Sequence, residues 1–301
     1  MVSAVITTYK RGSDIVKRAV ESVVNQTYRD WELTVVDDSP SDWEPRDDVK
    51  ETVLGFCRKD SRIRYIAHDH NMGACAARNT GLKHASGEYI AFLDDDDEWR
   101  SDKLELMVRK FEECDGRVAL VYCGCVFVYD SENREKKIKT VFRKGMVFDS
   151  LISRNFIGGT SFPLIRTSAL REIGGFDEKM RSSQDLDVWL RLAEKYEVDY
   201  VAEPLVFYHC HDGERITGSP ESIISGTERK LEKYSEYLKT HKPQLSACTM
   251  ELAVAYANGR RLKAALGTWF RGVRILPFSL FFNLKSLLRV AKWFCLSVKR
   301  S

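Results

Sequence analysis

With 301 residues, 44% hydrophobic and 30% charged, the chain is long enough for a well-buried core and too apolar for wholesale disorder. A net charge of +3 is too small to point to nucleic acid by itself. The start, Met1 to Tyr9, lacks the basic region, long apolar centre and cleavage site of a secretory signal, and eight scattered cysteines without a C-x-x-C pair read as reduced cytosolic thiols.

The first half alternates strand-like and helix-like segments. Val2 to Thr7 is a short β-branched apolar run and reads as a buried strand. Ser13 or Asp14 caps a helix through about Asn25. Trp31 to Val36 is a second strand, ending in Asp37-Asp38. Asp47 to Lys59 reads as a helix, Ile63 to Ala67 as a short strand, and Gly73 to Ala85 as a helix rich in small residues. Glu88 to Leu93 is a strand that ends in Asp94-Asp95-Asp96-Asp97, and a helix follows from Ser101 or Asp102 through Glu113. Val118 to Val128 looks like a buried strand, with Cys123 and Cys125 in it as core thiols rather than metal ligands.

Later segments are looser. Asp130 to Lys139 reads as a charged turn or hairpin, Met146 to Arg154 as a short helix and Gly158-Gly159-Thr160 as a loop. Thr167 to Ile173 reads as a helix stopped by Gly174-Gly175. Ser182 to Tyr196 is an amphipathic helix with Leu186, Trp189, Leu190 and Ala193 on one face. An apolar strand covers Leu205 to Tyr208, and from about Ser222 onward the pattern is helical.

Strand and helix in alternation predict an α/β fold, a Rossmann-type, mostly parallel sheet flanked by helices. Ligands of such sheets bind beyond the carboxyl ends of the strands, where two strands here deliver acidic clusters. At ~5 Å and an effective dielectric near 20, each like-charged pair costs roughly 3 kcal/mol. A divalent cation, Mn2+ or Mg2+, relieves that repulsion with the carboxylates as hard ligands and a diphosphate completing its shell. The competing reading is a solvated acidic turn.

Five pieces stand in order over the first hundred residues. They are Val5-Ile6-Thr7-Thr8-Tyr9-Lys10-Arg11, Ser22-Val23-Val24-Asn25-Gln26-Thr27-Tyr28, Val35-Val36-Asp37-Asp38-Ser39, Asn71 to Gly81, and Gly87 to Trp99. Together they resemble glycosyltransferase family 2, the large inverting family of GT-A fold, and the resemblance continues to about residue 215. It implies that Thr7 and Tyr9 line the base pocket and that Asp37 accepts a hydrogen bond from the base or ribose. It implies that Asp94-x-Asp96 is the D-x-D motif, with Asp94 and Asp95 near the ribose and donor sugar and Asp96 the direct metal ligand. Arg78 and Asn79 would reach toward the donor, and Arg11 joins the donor-binding residues. Arg78 as an ion pair with the acidic cluster, and Tyr9 as core packing, stay open.

Inverting transfer needs a carboxylate that takes the acceptor hydroxyl's proton. Arg181 to Leu192 resembles the family's acidic motif at the start of the acceptor-side helix, with Gln184 in place of the usual glutamate. Asp185 is then the candidate base and Asp187 the second choice; a capping role for Asp185 is the alternative. The glycine loop Phe156 to Phe162 could bring backbone amides to a sugar or phosphate, or be an ordinary turn. In Tyr208-His209-Cys210-His211-Asp212 some relatives place an extra metal or diphosphate ligand. His209 is preferred over His211 because it follows the strand directly, and Arg215 could instead meet the diphosphate.

From Leu252 to Ser301 there are ten Lys or Arg and no Asp or Glu, interleaved with Trp269, Phe270, Phe278, Phe281, Phe282, Trp293 and Phe294. Pro277 separates two helical pieces, and in the second Lys285, Arg289, Lys292 and Lys299 form a stripe. The segment is too charged to span a membrane and suits a helix lying on an anionic one. A tail packed on its own catalytic domain is the alternative, and no recognition motif supports nucleic acid.

The sequence thus predicts a GT-A-like catalytic domain over 1–220 and a helical, basic, membrane-associating extension over 221–301. The expected activity is transfer of a hexosyl or hexosaminyl group from a nucleoside-diphosphate sugar, a UDP-sugar first, to a glycan or lipid-linked acceptor. The expected setting is cell-surface polysaccharide or glycoconjugate synthesis at the cytoplasmic face of the membrane, with the protein peripheral there. A non-catalytic nucleotide-sugar-binding scaffold subunit is the alternative.

Overall fold

A computed structural model describes residues 1–129, 134–137, 141–180, 182–210 and 219–277. The chain divides into two units. The first comprises Met1–Val147, Phe156–Glu178 and Asp185–Asp212; the second comprises Phe148–Asn155, Lys179–Gln184 and the chain from Gly213 on.

The first unit is a sheet with helices. β1 (Val2–Thr8), β2 (Trp31–Asp37), β3 (Ile63–Ala67) and β4 (Tyr89–Asp94) pair in parallel in the order β3-β2-β1-β4. Their apolar, β-branched runs are buried almost throughout β1 and β2, as parallel strands covered on both faces require. The intervening helices are α1 (Ser13–Val24), α2 (Arg46–Cys57) and α3 (Ala74–His84), each within two residues of its expected bounds. β5 (Glu98–Trp99) follows, then α4 (Lys103–Glu112), β6 (Val118–Tyr129) and β7 (Arg134–Lys137). The fully buried Gln26 ties the end of α1 to the start of α4: its amide nitrogen donates to the carbonyls of Ser22 and Arg100, and its Oε1 accepts from Leu104 N–H.

Beyond β4 the sheet becomes mixed. β8 (Leu164–Arg166) enters antiparallel to both β4 and β6, β6 pairs in parallel with β9 (Glu197–Cys210), and β5 closes the far edge antiparallel to β9. Among the described residues nine strands form this one sheet. β7 pairs antiparallel with β6; residues 130–133 and 138–140 of the charged segment lie outside the described residues. Cys123 and Cys125 are buried in β6. α6 (Thr167–Glu172) stops at Gly174 and Gly175, with φ of 80° and 69°. α7 (Gln184–Ala193) is shorter than the expected 182–196 but buries the expected face, Leu186, Trp189, Leu190 and Ala193.

The second unit is helical. It contains α5 (Phe148–Ser153), α8 (Pro220–Lys233), α9 (Ser235–Thr240), α10 (Lys242–Asn258) and α11 (Leu262–Ile275). Ile224, Leu252 and Ala255 form its apolar centre. Buried polar groups are matched: Lys230 Nζ reaches Glu251 Oε2 at 2.5 Å and, with Cys248 Sγ, the carbonyl of Ile152. Among the described residues no helix is long and apolar enough to cross a membrane. Arg181, His211, Arg215 and the second basic piece, with Lys285, Arg289, Lys292 and Lys299, lie outside the described residues.

Candidate active site

The strand registers assemble the site. Thr7 lies level with Val36 on one side and Asp94 on the other, and Thr8 with Asp37. The carboxyl ends of β1, β2 and β4 therefore present Thr7, Asp37 and the four-aspartate run along one edge.

The four aspartates have different surroundings. Asp94 Oδ1 accepts from Arg78 Nη2 at 2.9 Å and from Thr160 Oγ1 at 2.8 Å. Asp95, buried at 7% exposure, takes Arg11 Nε at 3.0 Å, and Asp96 Oδ2 takes Arg11 Nη2 at 2.8 Å. Burial, and then the neighbouring Asp96 charge, push the Asp95 carboxyl up to about 7 against the pull of Arg11 and Thr8. Asp97 accepts from Ser161 Oγ at 2.6 Å; burial and the Asp94 charge hold it well above the usual carboxylate range. Arg11 is itself raised, because the charges of Asp95 and Asp96 outweigh the cost of its burial. Arg18 donates to the backbone carbonyl of Asp96 at 2.9 Å. The run is thus a cation-seeking cluster with guanidinium groups already drawn to it. Its hard oxygen donors fit a divalent cation. Among the described residues no three His, Cys, Asp or Glu side chains converge as a ready-made cage.

On the β2 side, Asp37 is fully buried: Oδ1 accepts from Ser39 N–H, and Oδ2 accepts from Tyr65 OH at 2.6 Å with Arg46 Nε 3.6 Å away. Asp38 gathers His68 Nδ1 at 2.7 Å and the amides of Met72 and Gly73 at 2.8 Å, fixing the chain that enters α3. Tyr9 is 44% exposed, which removes core packing as its role, and Lys10 Nζ lies 5.6 Å from its ring centroid. Thr7 is half-buried at the strand end.

Arg78 is buried on α3 and so supplies the ion pair with the acidic cluster. Asn79 turns elsewhere. Its amide nitrogen donates to Phe176 O and Glu178 Oε1, and its Oδ1 accepts from Phe176 N–H. A Cβ on Gly175 would stand 2.6 Å from that Oδ1, and φ there is positive, so glycine is needed for the approach. The glycine loop before β8 works through side chains: Thr160 and Ser161 bond the acidic run, and Ser161 Oγ also accepts from Asp94 N–H. Gly158 has φ of 98°, and a Cβ there would meet the Phe162 ring at 2.1 Å. From the sequence the loop reads as a source of backbone amides or as an ordinary turn; Thr160 and Ser161, about sixty-five residues from the aspartates, carry no local signal of the partnership.

Asp185 lies part-buried in the first turn of α7. Desolvation raises its carboxyl above the ordinary range, the Leu186 amide and the Arg78 charge oppose this, and the Asp94 charge adds to it. Asp187, two residues on, is 4% exposed and pairs with Arg191 Nε at 2.8 Å; Arg191 in turn donates to the carbonyls of Ile173 and Gly175 at 2.7 Å. That commits Asp187 to architecture. His209 is buried, with ring Nε2 2.7 Å from Glu98 Oε1 and its backbone N–H serving Asp97.

The sequence matches the family described as Glycosyl transferase family 2 over residues 3–174, and Glycosyl transferase family group 2 over residues 89–290. It is 30% identical over 246 residues to WcaA of Escherichia coli, provisionally assigned as a colanic acid biosynthesis glycosyl transferase, covering 80% of this chain and 81% of that protein. Over 108 residues, 36% of this chain and 40% of the relative, it is 42% identical to WfgD of Escherichia coli, a UDP-Glc:alpha-D-GlcNAc-diphosphoundecaprenol beta-1,3-glucosyltransferase. The chain spans about a third of the length of some curated relatives and about four fifths of others. Among solved structures, TarS 1-349 of S. aureus in complex with UDP-GlcNAc superposes with TM-score 0.63 at 18% identity, covering 97% of this chain and 79% of that one. At that identity the likeness concerns the fold, a GT-A-like α/β arrangement as the sequence predicts.

Proposed function

Because the chain belongs to glycosyl transferase family 2, and is a glycosyltransferase on that ground, we propose that it is an inverting enzyme using a nucleoside-diphosphate sugar, UDP-sugars first. The transferred group would be hexosyl or hexosaminyl, and the acceptor a glycan or lipid-linked sugar in cell-surface polysaccharide synthesis at the cytoplasmic face of a membrane. The names of WcaA and WfgD, and the UDP-GlcNAc held by TarS, support this choice of chemistry.

One observation supports the mechanism: Asp94, at the carboxyl end of β4, is held by Arg78 and Thr160, and the charges of Arg78 and Asp94 both act on the raised carboxyl of Asp185. In the proposed reaction the acceptor oxygen forms its bond to the anomeric carbon as the bond to the diphosphate oxygen breaks on the opposite face. The acceptor's proton passes to Asp185, and the electron pair of the broken bond leaves with the nucleoside diphosphate. Thr7, Tyr9 and Asp37 would line the base and ribose end, Asp94 and Asp95 the ribose and sugar. Arg78 and Arg11 would balance the donor's charge. A bound Mn2+ or Mg2+ would be held first by Asp96 and would neutralise the departing diphosphate. His209 would join it only by exchanging Glu98 for the cation.

The test is a thermal-shift screen with UDP, GDP, dTDP and CMP, with and without Mn2+, followed by turnover of the donor that binds. Binding at 100 times Kd adds about 2.7 kcal/mol of apparent stability. A metal-dependent shift with UDP, lost in Asp96→Ala, supports the donor site. Transfer that survives both Asp96→Ala and Asp185→Ala would overturn it.

A further inference from the structure

The last helix of the described chain, α11, has two unlike faces. Ala265, Thr268 and Gly272 are buried; the approach is close enough that a Cβ on Gly272 would meet Met250 Cε at 2.8 Å. Ser246 Oγ on α10 also donates to the carbonyl of Gly272. The opposite face carries Lys263, Leu266, Phe270 and Arg274, spaced three, four and four residues apart, which a 3.6-residue helix brings onto one stripe. All four are exposed, and two are large hydrophobics: Leu266 at 39% and Phe270 at 59%. Phe270 is braced edge-on by Trp269, with ring centroids 5.1 Å apart.

We propose that this outer face of α11 is the enzyme's contact with an anionic phospholipid surface, Leu266 and Phe270 entering the acyl boundary while Lys263 and Arg274 meet the headgroup phosphates. The inference deepens the membrane-surface reading above and rests on it. Charge complementarity selects the partner. From Leu252 to Pro277 the chain has Arg260, Arg261, Lys263, Arg271 and Arg274 and no acidic residue, which suits the negative potential of an anionic leaflet. The apolar pair between the bases separates it from a polyanion-binding surface, which would not need an exposed Phe or Leu. An amphipathic helix with bases flanking aromatic and aliphatic residues lies in the interface plane rather than across it, in keeping with the absence of a spanning helix among the described residues.

The test is co-sedimentation of the full chain with vesicles of phosphatidylglycerol and phosphatidylcholine, and of phosphatidylcholine alone. The wild-type protein is expected to bind the anionic vesicles. The Leu266→Glu/Phe270→Glu double variant should bind at least tenfold less tightly, Lys263→Gln/Arg274→Gln should lose the preference for phosphatidylglycerol, and Phe270→Trp should keep binding. Each variant's thermal shift with UDP reports that it folds, since the altered side chains are exposed. If the wild type binds vesicles and the Leu266/Phe270 variant binds equally well, α11 is not the contact, although the membrane reading stands. If the wild type binds neither vesicle, both fail while donor turnover is untouched. Loss of self-association instead of vesicle binding in the double variant would make the face a contact between copies and would also overturn the proposal.

Discussion

Arg78 donates to Asp94 Oδ1 at 2.9 Å, and the same guanidinium charge draws down the carboxyl of Asp185. One side chain on α3 thereby acts on both the D-x-D run and the candidate base. Arg78→Ala is expected to weaken donor binding roughly tenfold or more, the scale of a lost charge-assisted hydrogen bond. The sign of its pH effect follows from the charges. Without Arg78, only backbone amides are left to oppose burial and Asp94, the Asp185 carboxyl titrates higher, and the acid limb of the kcat profile moves to higher pH. Profiles of the two proteins check this; a limb that stays in place confines Arg78 to the donor.

The two aspartates of α7 separate by variant. Asp185→Asn keeps the fold and removes the proton acceptor, so kcat should fall by about 10² to 10⁴ with donor affinity little changed. Asp187→Ala leaves the part-buried Arg191 without its carboxylate and should cost about 2 kcal/mol of stability, with residual transfer in the folded fraction. Urea unfolding and single-turnover transfer on both variants decide the assignment. Inactivity with full stability in Asp187→Ala would reverse it.

Arg11 bridges Asp95 and Asp96, so its removal leaves adjacent carboxylates without their internal cation. Arg11→Ala should lower the melting temperature of the ligand-free protein. Added NaCl should narrow the deficit, because screening weakens the like-charge repulsion that Arg11 offsets. Melting curves at low and high ionic strength measure it.

The parallel half of the fold was legible because its strands are short, apolar and β-branched and end in polar clusters: β3 matches its expected bounds at both ends. In the mixed half, β6 and the Leu205 to Tyr208 part of β9 were legible as apolar runs, but β5, two residues long, and β8, three residues after Pro163, are too short to show a period, so the antiparallel pairings were not readable. The acidic run was legible as charge, but the division of labour within it was not. It depends on Arg11, Arg78, Thr160 and Ser161, which the fold brings in from distant positions. The choice between Asp185 and Asp187 turns on Arg191, whose bonds to Ile173 and Gly175 are tertiary and leave no mark on the helix pattern.

Lys103 makes stability depend on pH at the other end of the range. It is fully buried in the first turn of α4, with Nζ 4.5 Å from the Trp99 ring centroid and 3.1 Å from Met107 Sδ. Desolvation lowers its ammonium from 10.5 to about 8 despite the nearby Cys123. At pH 7 the charged form is present in both folded and unfolded chains, so burying it costs about 3 kcal/mol, offset by about 1 kcal/mol from the aromatic face. Lys103→Met, of similar length and apolar, should therefore stabilise the protein by about 2 kcal/mol at pH 7. Between pH 8 and 10.5 the unfolded chain holds the lysine proton and the folded chain does not, so wild-type stability gains from this group as pH rises and its gap to the variant closes. Cys123, raised by burial to about 11, acts with the opposite sign above pH 9 but is present in both proteins. Urea titrations of the pair at pH 7, 8.5 and 10 read the gap directly; a gap that widens with pH would mean that the folded protein stabilises the ammonium rather than strains it.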